Sequence, residues 1–430
     1  MFEFQFGGYV IIILMVLIFI SIVYFIIRRI RNKALTGEIR NYKKIGFIEI
    51  ILVFIFTLIS MKENLMKLLV ISLIGLILFT CQRDDRKKSS IISHAKIRGL
   101  KDTVGFSFSK EQIQAVVELS EKLEHHALEK NREKYQNIRW IAGVCPHDDH
   151  LLAGRVYVHL FQNMNAKRYI IFGVAHKAAN WGVQDSLIFD SFDFWRAPYA
   201  PVKVSSLRQE IIDLLPKDDF VVNNEWQSEE HSVEGIVPFI RHYNRESEII
   251  SILVPYMNWQ RIEYLSKTLA DALAKIIQQH NWKLGEDIAF ICSNDGDHYG
   301  DQDWSGRNLA PFGADEAGYL KATQQDSSLI VKNLTSKLTA EKLQDFCHRV
   351  WGEHDLKEYK IRWCGRFSVP FGLNTVRILM EKLNHPPLNG YFLRYDTSYN
   401  LGKLPLDIGI GTTAPYNIHH WVGYSAVGYY

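Results

Sequence analysis

Three short segments of this sequence carry metal-capable side chains, each directly after a predicted buried strand. They supply His147, then His176, and then the cluster Asp295, Asp297 and His298. Imidazoles and carboxylates bind divalent metal ions, and an imidazole also transfers protons near neutral pH. In open α/β sheets the working groups collect where strands end. Three strands that each end in such a group therefore predict a functional site.

Several of these residues also have a structural explanation. Asp148 and Asp149 can cap the helix predicted to begin near residue 151. The segment Asp295–Asp297 has the Asp and Gly content of a solvated turn. His231 precedes a predicted helix, where it is either a surface histidine or a general acid–base group. The sequence leaves both interpretations open for each of these positions.

The elements that must position these groups are short apolar runs alternating with helices. Such alternation is typical of βαβ units, and it predicts an α/β fold with a central, mainly parallel sheet flanked by helices. A longer amphipathic helix is predicted ahead of the first strand. The predicted strands cover residues 138–145, 169–174, 248–254 and 287–292, and the helices 110–135, 151–164, 234–243 and 261–279.

The first 81 residues have the composition of a membrane anchor. Residues 9–27 predict a transmembrane helix followed by a basic loop. Residues 61–81 are typical of a lipoprotein signal, in which a lipidated Cys81 would leave the following domain extracytoplasmic. A multi-span anchor is the alternative, and it predicts the cytoplasmic face of the inner membrane. A polar linker over residues 82–105 and a soluble domain over residues 106–430 complete the predicted organisation.

Composition excludes several classes of protein. The chain has 430 residues, of which 47% are hydrophobic and 23% charged, so it is not intrinsically disordered. A net charge of +3 gives no electrostatic case for nucleic-acid binding. Five cysteines form no disulfide framework, and the absence of a CxxC motif argues against a structural zinc finger.

The chain carries an ordered set of short motifs. They are Pro146-His147, Gly173-x-x-His176, Glu230-His231-Ser232-x-Glu234, Ser293-x-Asp295-x-x-His298-x-Gly300, Cys364-Gly365-Arg366 and Gly423-Tyr424-Ser425-Ala426. This set resembles the Memo family, whose bacterial and archaeal members are called AmmeMemoRadiSam system protein B. The resemblance covers roughly residues 138–430 and implies an α/β fold like that of the class III extradiol ring-cleaving dioxygenases.

The resemblance implies metal ligands at His147, His176 and Asp297. Animal members of the family have a cysteine at the third position, so an aspartate there would be a departure. Two histidines and one carboxylate are typical of non-haem Fe(II) sites with open positions for oxygen and substrate, and they disfavour Cu(I). His231 would then act as acid–base, and Asp295 and His298 would line the same pocket.

Three functions follow from these residues. The first is an Fe(II)-dependent oxidoreductase of dioxygenase type acting on a small, aromatic substrate. The second is a zinc-dependent hydrolase using the same ligands. The third is a non-enzymatic metal-binding or redox-modulating module without a substrate. Zinc or copper remains an alternative to iron, and the expected partners are other components of the AmmeMemoRadiSam system and, through the N-terminal region, a membrane.

Overall fold

A large sheet with a parallel centre organises the part of the chain that the computed structural model describes, residues 95–352 and 354–430. Its central strands are short and buried, as expected for strands covered on both faces. The strands are β1 (Ile97–Arg98), β2 (Ala142–Cys145), β3 (Arg168–Val174), β4 (Leu187–Phe189), β5 (Phe194–Trp195), β6 (Val202–Val204), β7 (Phe220–Val222), β8 (Glu248–Val254), β9 (Ala289–Ser293), β10 (His298–Gly300), β11 (Ser336–Lys337), β12 (Asn389–Thr397) and β13 (His420–Tyr429).

Helices cover both faces of this sheet and bury two apolar clusters against it. The helices are α1 (Lys110–Leu123), α2 (His125–Tyr135), α3 (His150–Phe161), α4 (Ala178–Trp181), α5 (Leu207–Leu214), α6 (Asn224–Glu229), α7 (Val237–Tyr243), α8 (Trp259–His280), α9 (Glu316–Leu329), α10 (Ala340–Val350), α11 (Ser368–Lys382) and α12 (Ser398–Leu401). Helices α8 and α11 pack on one face, and α1, α3 and α7 pack on the other.

Five strands in the order β6-β8-β3-β9-β2 are mutually parallel and form the centre of the sheet. The antiparallel strands β13 and β12 extend it beyond β2, and β10 adds to β13. The parallel centre places the carboxyl ends of β2, β3 and β9 side by side. The α/β fold with a central, mainly parallel sheet is therefore confirmed, with an antiparallel edge that the sequence did not predict.

Two predicted boundaries change. The long helix expected over residues 110–135 is two helices, because the chain departs from helical geometry at Glu124, whose side chain is buried and ion-paired. Residues 95–105, expected to be part of a linker, belong to the folded unit of residues 95–430. There β1 pairs with β5, and the buried guanidinium of Arg98 forms an ion pair with Glu234.

The predicted membrane localisation needs correction. Among the residues that the structure describes, none of the helices combines the length and the apolar character needed to cross a bilayer. The predicted transmembrane helix of residues 9–27, the predicted lipoprotein signal of residues 61–81 and most of the predicted linker lie outside the described residues. The structure therefore gives no support for a membrane-anchored protein.

Candidate metal centre

Donor atoms from three distant parts of the chain meet at the carboxyl edge of the sheet. His147 follows β2, His176 follows β3, and Cys364 lies just before α11. One donor atom from each of these residues lies within 4.8 Å of the others. Two imidazole nitrogens and a sulfur at such distances are able to bind a single metal ion.

The protonation of His147 follows from its hydrogen bonds. Its Nδ1 lies 2.7 Å from the hydroxyl oxygen of Ser293, whose own proton is donated to the carbonyl oxygen of Ser232 at 2.6 Å. Nδ1 must therefore carry the proton and donate it to Ser293. Burial, with nearby histidines, holds the pKa of His147 well below its usual value, so the ring is neutral. Nε2 consequently presents a bare lone pair.

This Nε2 of His147 is buried and has no hydrogen-bond partner among residues 95–352 and 354–430. An oxygen of the Asp295 carboxyl group lies 3.2 Å away without forming a hydrogen bond to it, and burial raises the pKa of Asp295 well above its usual value. A buried nitrogen without a partner is costly for a fold unless another group binds it. The donor set and this bare nitrogen fit a metal ion.

His176 is oriented by a buried carboxylate. Its Nδ1 lies 2.9 Å from Oε2 of Glu230, which is only 2% exposed. Burial lowers the pKa of His176, but Glu230 outweighs it and raises that pKa to about 10. The pKa of Glu230 is lowered despite its burial, chiefly by His176. A carboxylate behind an imidazole fixes the ring, and Nε2 is able to bind a metal once it loses its proton.

Cys364 has a proton acceptor beside it. Its sulfur lies 3.5 Å from Nε2 of His298, whose Nδ1 lies 3.0 Å from two carbonyl oxygens, those of Gly296 and Arg362. Because carbonyls only accept, Nδ1 of His298 is the donor and Nε2 is able to accept the thiol proton. Burial raises the pKa of the Cys364 thiol although His176 opposes it. Cys364 and His298 also form a group with Asp295.

His231 lies against the two histidine donors. Its ring stacks on that of His176, with centroids 4.7 Å apart, and lies 5.5 Å from the ring of His147. Burial and the neighbouring His176 lower its pKa to about 4. His231 is therefore neutral at physiological pH and able to accept a proton. Its predicted acid–base role stays a prediction.

Asp297 belongs to none of the candidate donor groups in the described residues, whereas Cys364 forms one with His147 and His176, so the ligand role of Asp297 stays a prediction. Its carboxylate accepts a hydrogen bond from the backbone N–H of Arg362 at 3.2 Å, and its own N–H donates to Asp326. Burial and the adjacent Asp326 raise the pKa of Asp297 to about 7. The N–H of Gly296 donates to the carbonyl of Gly423 in β13, which fixes the turn between Asp295, a contact of His147, and Asp297.

A cleft with a volume of about 330 Å³ opens onto His147 and His231. Its rim is fixed by side-chain to backbone bonds: Glu234 accepts from the N–H groups of Lys101 and Asp102, and Asp149 accepts from Thr413. Asp149 does not make a capping hydrogen bond to α3. The remaining lining residues are Thr103, Val104, Phe106 and Asp148.

Sequence reasoning missed three residues of this centre. Cys364 was noted in a Cys-Gly-Arg motif but was given no metal role, because a single cysteine before a helix carries no spacing signal. Glu230 belongs to one of the motifs, but nothing in its spacing predicts that it orients His176. Ser293 was recognised as part of a motif, but only the hydrogen bonds reveal that it fixes the tautomer of His147.

Comparisons with known proteins agree with this architecture. The family model described as "Memo-like protein" matches residues 105–404. A MEMO1 family protein of Methanosarcina barkeri is 26% identical over 37% of this chain and 55% of its own length. One of Pyrobaculum aerophilum is 28% identical over 37% of this chain and 53% of its own length.

A third relative, a MEMO1 family protein of Pyrococcus horikoshii, is 23% identical over 61% of this chain and 82% of its own length. For the other two the chain spans about half the length of the curated relative that it matches. The match of the family model extends over most of the chain, from just before α1 to the segment after α12. This chain therefore belongs to the Memo family.

Proposed function

We propose that this protein is a metal-binding protein whose ion is held by His147, His176 and Cys364. The observation that carries the proposal is the bare, buried Nε2 of His147, whose tautomer Ser293 fixes. The buried carboxylate of Glu230 supports it by orienting His176. Three protein ligands beside a cleft are typical of centres that keep a coordination position for a small molecule rather than of closed structural sites.

The donor set favours a softer metal than the one predicted from the sequence. Two imidazoles and one thiolate suit Cu(I) and Zn(II), whereas two imidazoles and one carboxylate suit Fe(II). Because the candidate donor group contains Cys364 and not Asp297, the preferred metal changes from Fe(II) to Cu(I) or Zn(II). When bound, Cu(I) would supply one-electron chemistry and Zn(II) Lewis acidity.

Two histidines near the donors are placed to accept a proton or to form a hydrogen bond. A thiol must lose its proton to become a ligand, and Nε2 of His298, 3.5 Å from the sulfur, is placed to take it. His231 is neutral and lines the cleft, where its ring is placed to form a hydrogen bond with a molecule that enters. The two histidines therefore serve different groups: His298 lies beside the thiol of Cys364, and His231 lies at the cleft.

Metal titration tests the proposal. Protein purified without added metal is analysed for its elements and titrated anaerobically with Cu(I), Zn(II) and Fe(II). We expect one bound equivalent, tighter for Cu(I) or Zn(II) than for Fe(II). The substitution Cys364→Ser should weaken binding more than about a hundredfold, since even loss of an outer orienting partner costs about 10- to 100-fold.

Cys347→Ser is the control, because Cys347 is also a free cysteine but lies buried in α10 and belongs to none of the donor groups in the described residues. It should leave the metal affinity unchanged. Equal affinities for wild type and Cys364→Ser would overturn the proposal. Unfolding curves of both variants show whether any loss of metal reflects loss of structure.

A second candidate, an iron-dependent oxidoreductase of dioxygenase type, is favoured by Asp295. Its Oδ2 lies 3.2 Å from Nε2 of His147, so a carboxylate is close to the imidazole even without Asp297. Oxygen uptake by Fe(II)-loaded protein on a panel of phenols tests it, with His231→Gln expected to slow the reaction at least tenfold. Stoichiometric iron without uptake on any phenol would contradict this candidate.

A further inference from the structure

A second cleft, with a volume of about 270 Å³, is lined by three basic residues from three parts of the chain. Lys332 belongs to a π-helical turn, Ile330–Leu334, that directly continues α9. Arg349 lies in the last turn of α10, and Lys360 lies in the loop between α10 and Cys364. We call this space the basic cleft. The fold therefore gathers three positive charges around one small space.

The lining of the basic cleft contains no acidic residue among those that the structure describes. Its other members are two apolar side chains and the neutral polar residues Gln325, Ser328 and Asn333. The cleft at the metal centre has the opposite character, because three aspartates and a single lysine line it. The whole chain has nearly equal numbers of bases and acids, 50 and 47, so this uneven local distribution favours an anionic ligand.

The guanidinium of Arg349 is oriented by its neighbours. Its Nε donates to Oδ2 of Asp345 at 2.7 Å, and the same oxygen accepts from Nδ2 of Asn333 at 2.8 Å. Asn333 is 1% exposed, and its amide also donates to the carbonyl of Lys342. The two terminal amino groups of Arg349 make no hydrogen bond within the described part of the chain. A planar pair of donors is therefore available to an anion.

The two lysines of the basic cleft also keep free donors. The ammonium of Lys360 donates to the carbonyl of His348 at 3.3 Å, which uses one of its three protons. Lys332 is exposed and forms neither a hydrogen bond nor an ion pair with another described residue. Like charges that line one concave space repel one another, because less water screens them there than in bulk solution. A bound anion would remove this repulsion.

We propose that the basic cleft binds a small phosphate-bearing molecule. The fork of an arginine matches two phosphate oxygens, and lysines bind phosphate as point charges. A volume of about 270 Å³ is at the small end for ligand sites, which suits a small molecule rather than a polymer. The basic cleft shares no residue with the candidate metal donor groups, so this inference does not rest on the proposed metal-binding function.

Isothermal titration of the full chain with inorganic pyrophosphate, without added metal, tests the proposal. We expect wild type to bind one equivalent, and to bind it more weakly as the sodium chloride concentration rises, because salt screens exposed charges. Arg349→Gln removes the guanidinium fork, and Lys332→Ala removes an unpaired positive charge. Each substitution should weaken pyrophosphate binding about tenfold, as expected for the loss of a charge-assisted hydrogen bond.

Three variants serve as controls. Lys321→Ala removes the same charge from an exposed position of α9 outside the lining, and it should leave the affinity unchanged. Lys332→Arg keeps the charge and should retain binding. Cys364→Ser alters the metal centre and should not change pyrophosphate binding. Unfolding curves accompany Arg349→Gln because it also loses the ion pair with Asp345, and Lys332→Ala alone is sufficient for the test.

Three results would overturn the inference: wild type that does not bind pyrophosphate, Lys332→Ala that binds it as tightly as wild type does, and an equal loss with Lys321→Ala, which would indicate a general charge effect. A loss confined to Cys364→Ser would place the anion at the metal centre and would also overturn it. Failure of the metal titrations would instead overturn the proposed function and leave this inference intact.

Discussion

Two buried histidines of this domain, His159 and His147, use their ring nitrogens differently. Both nitrogens of His159 are occupied: Nδ1 lies 3.1 Å from the amide of Asn131 and Nε2 lies 3.2 Å from Glu124. In His147 one nitrogen donates to Ser293 and the other is bare. Burial is the same, at 1% exposure each. A histidine such as His159, with hydrogen bonds at both ring nitrogens, stabilises the fold, whereas the unpaired nitrogen of His147 is available to a ligand.

The charges around the two histidines differ in the same way. Glu124 is surrounded by His159, Arg155 and Arg394, and although burial opposes ionisation these groups lower its pKa to about 2. His147 instead has other histidines as its neighbours, and its pKa is lowered. In the first cluster the charge of Glu124 is compensated by the arginines Arg155 and Arg394. The second combines the charged pair of His176 and Glu230 with a neutral His147, whose Nε2 has no hydrogen-bond partner in the described residues and is available to a ligand.

The largest effect is expected for Glu124→Ala. It leaves Arg155 without its buried counter-ion and Arg394 with Asp396 alone, so the free energy of unfolding should fall by about 3 kcal/mol in urea titrations. Glu118→Ala, at an exposed position of α1, should change it by less than about 0.5 kcal/mol. Metal affinity should not change in either variant, and a loss with Glu124→Ala would remove the distinction between the two clusters.

A pH series sharpens the same comparison. The pKa of Glu124 is about 2 in the folded protein against its usual 4.5, so its ionised form favours folding. This contribution, about 3 kcal/mol, is complete above pH 4.5 and is lost as the pH falls towards 2. Urea midpoints of wild type and Glu124→Gln should therefore converge between pH 4.5 and pH 2. A difference that stays constant over this range would contradict the assignment.

A smaller effect is expected for Glu230→Gln in the metal centre. The amide is a weaker acceptor for Nδ1 of His176 and carries no charge, so metal affinity should fall about 10- to 100-fold. Isothermal titration with Zn(II) measures it. Glu229→Gln is the neighbouring control, because Glu229 bonds to Lys177 and Trp181 rather than to a metal donor. An equal loss in both variants would point to a general charge effect.

The smallest effect is expected for Asp297→Asn. Its carboxylate lies with Asp326 and the N–H of Arg362, outside the donor groups of the described residues. Metal affinity should change less than about threefold, as for groups that do not share a binding set. A loss of more than tenfold in the same Zn(II) titration would restore Asp297 as a ligand and displace Cys364.

The sequence predicted the central strands well because their apolar runs are local features. The strand expected over residues 248–254 matches β8, and the one at 169–174 lies within β3. It also predicted that His147 and His176 would meet, since parallel strands bring their carboxyl ends to one edge. The sequence analysis did not predict the antiparallel strands β12 and β13, which pair with each other and add to β2.

The third donor was missed for a different reason. Asp297 and His298 are adjacent in the sequence, yet only His298 contacts Cys364, because the turn at Gly296 is bonded to β13. Such a turn depends on tertiary hydrogen bonds that spacing does not reveal. The helix break at Glu124 has a similar origin, since helical periodicity continues through it while a buried ion pair decides the geometry.

The candidate metal donors come from distant parts of the sequence, and this separation determines when a metal ion would be able to bind. His147 and Cys364 are 217 positions apart, so the chain cannot assemble the trio during synthesis until both strand tips and the start of α11 are in place. Metal uptake then comes after folding. Because the ion would bind only the finished domain, its supply would protect the whole domain against unfolding in proportion to the logarithm of its free concentration.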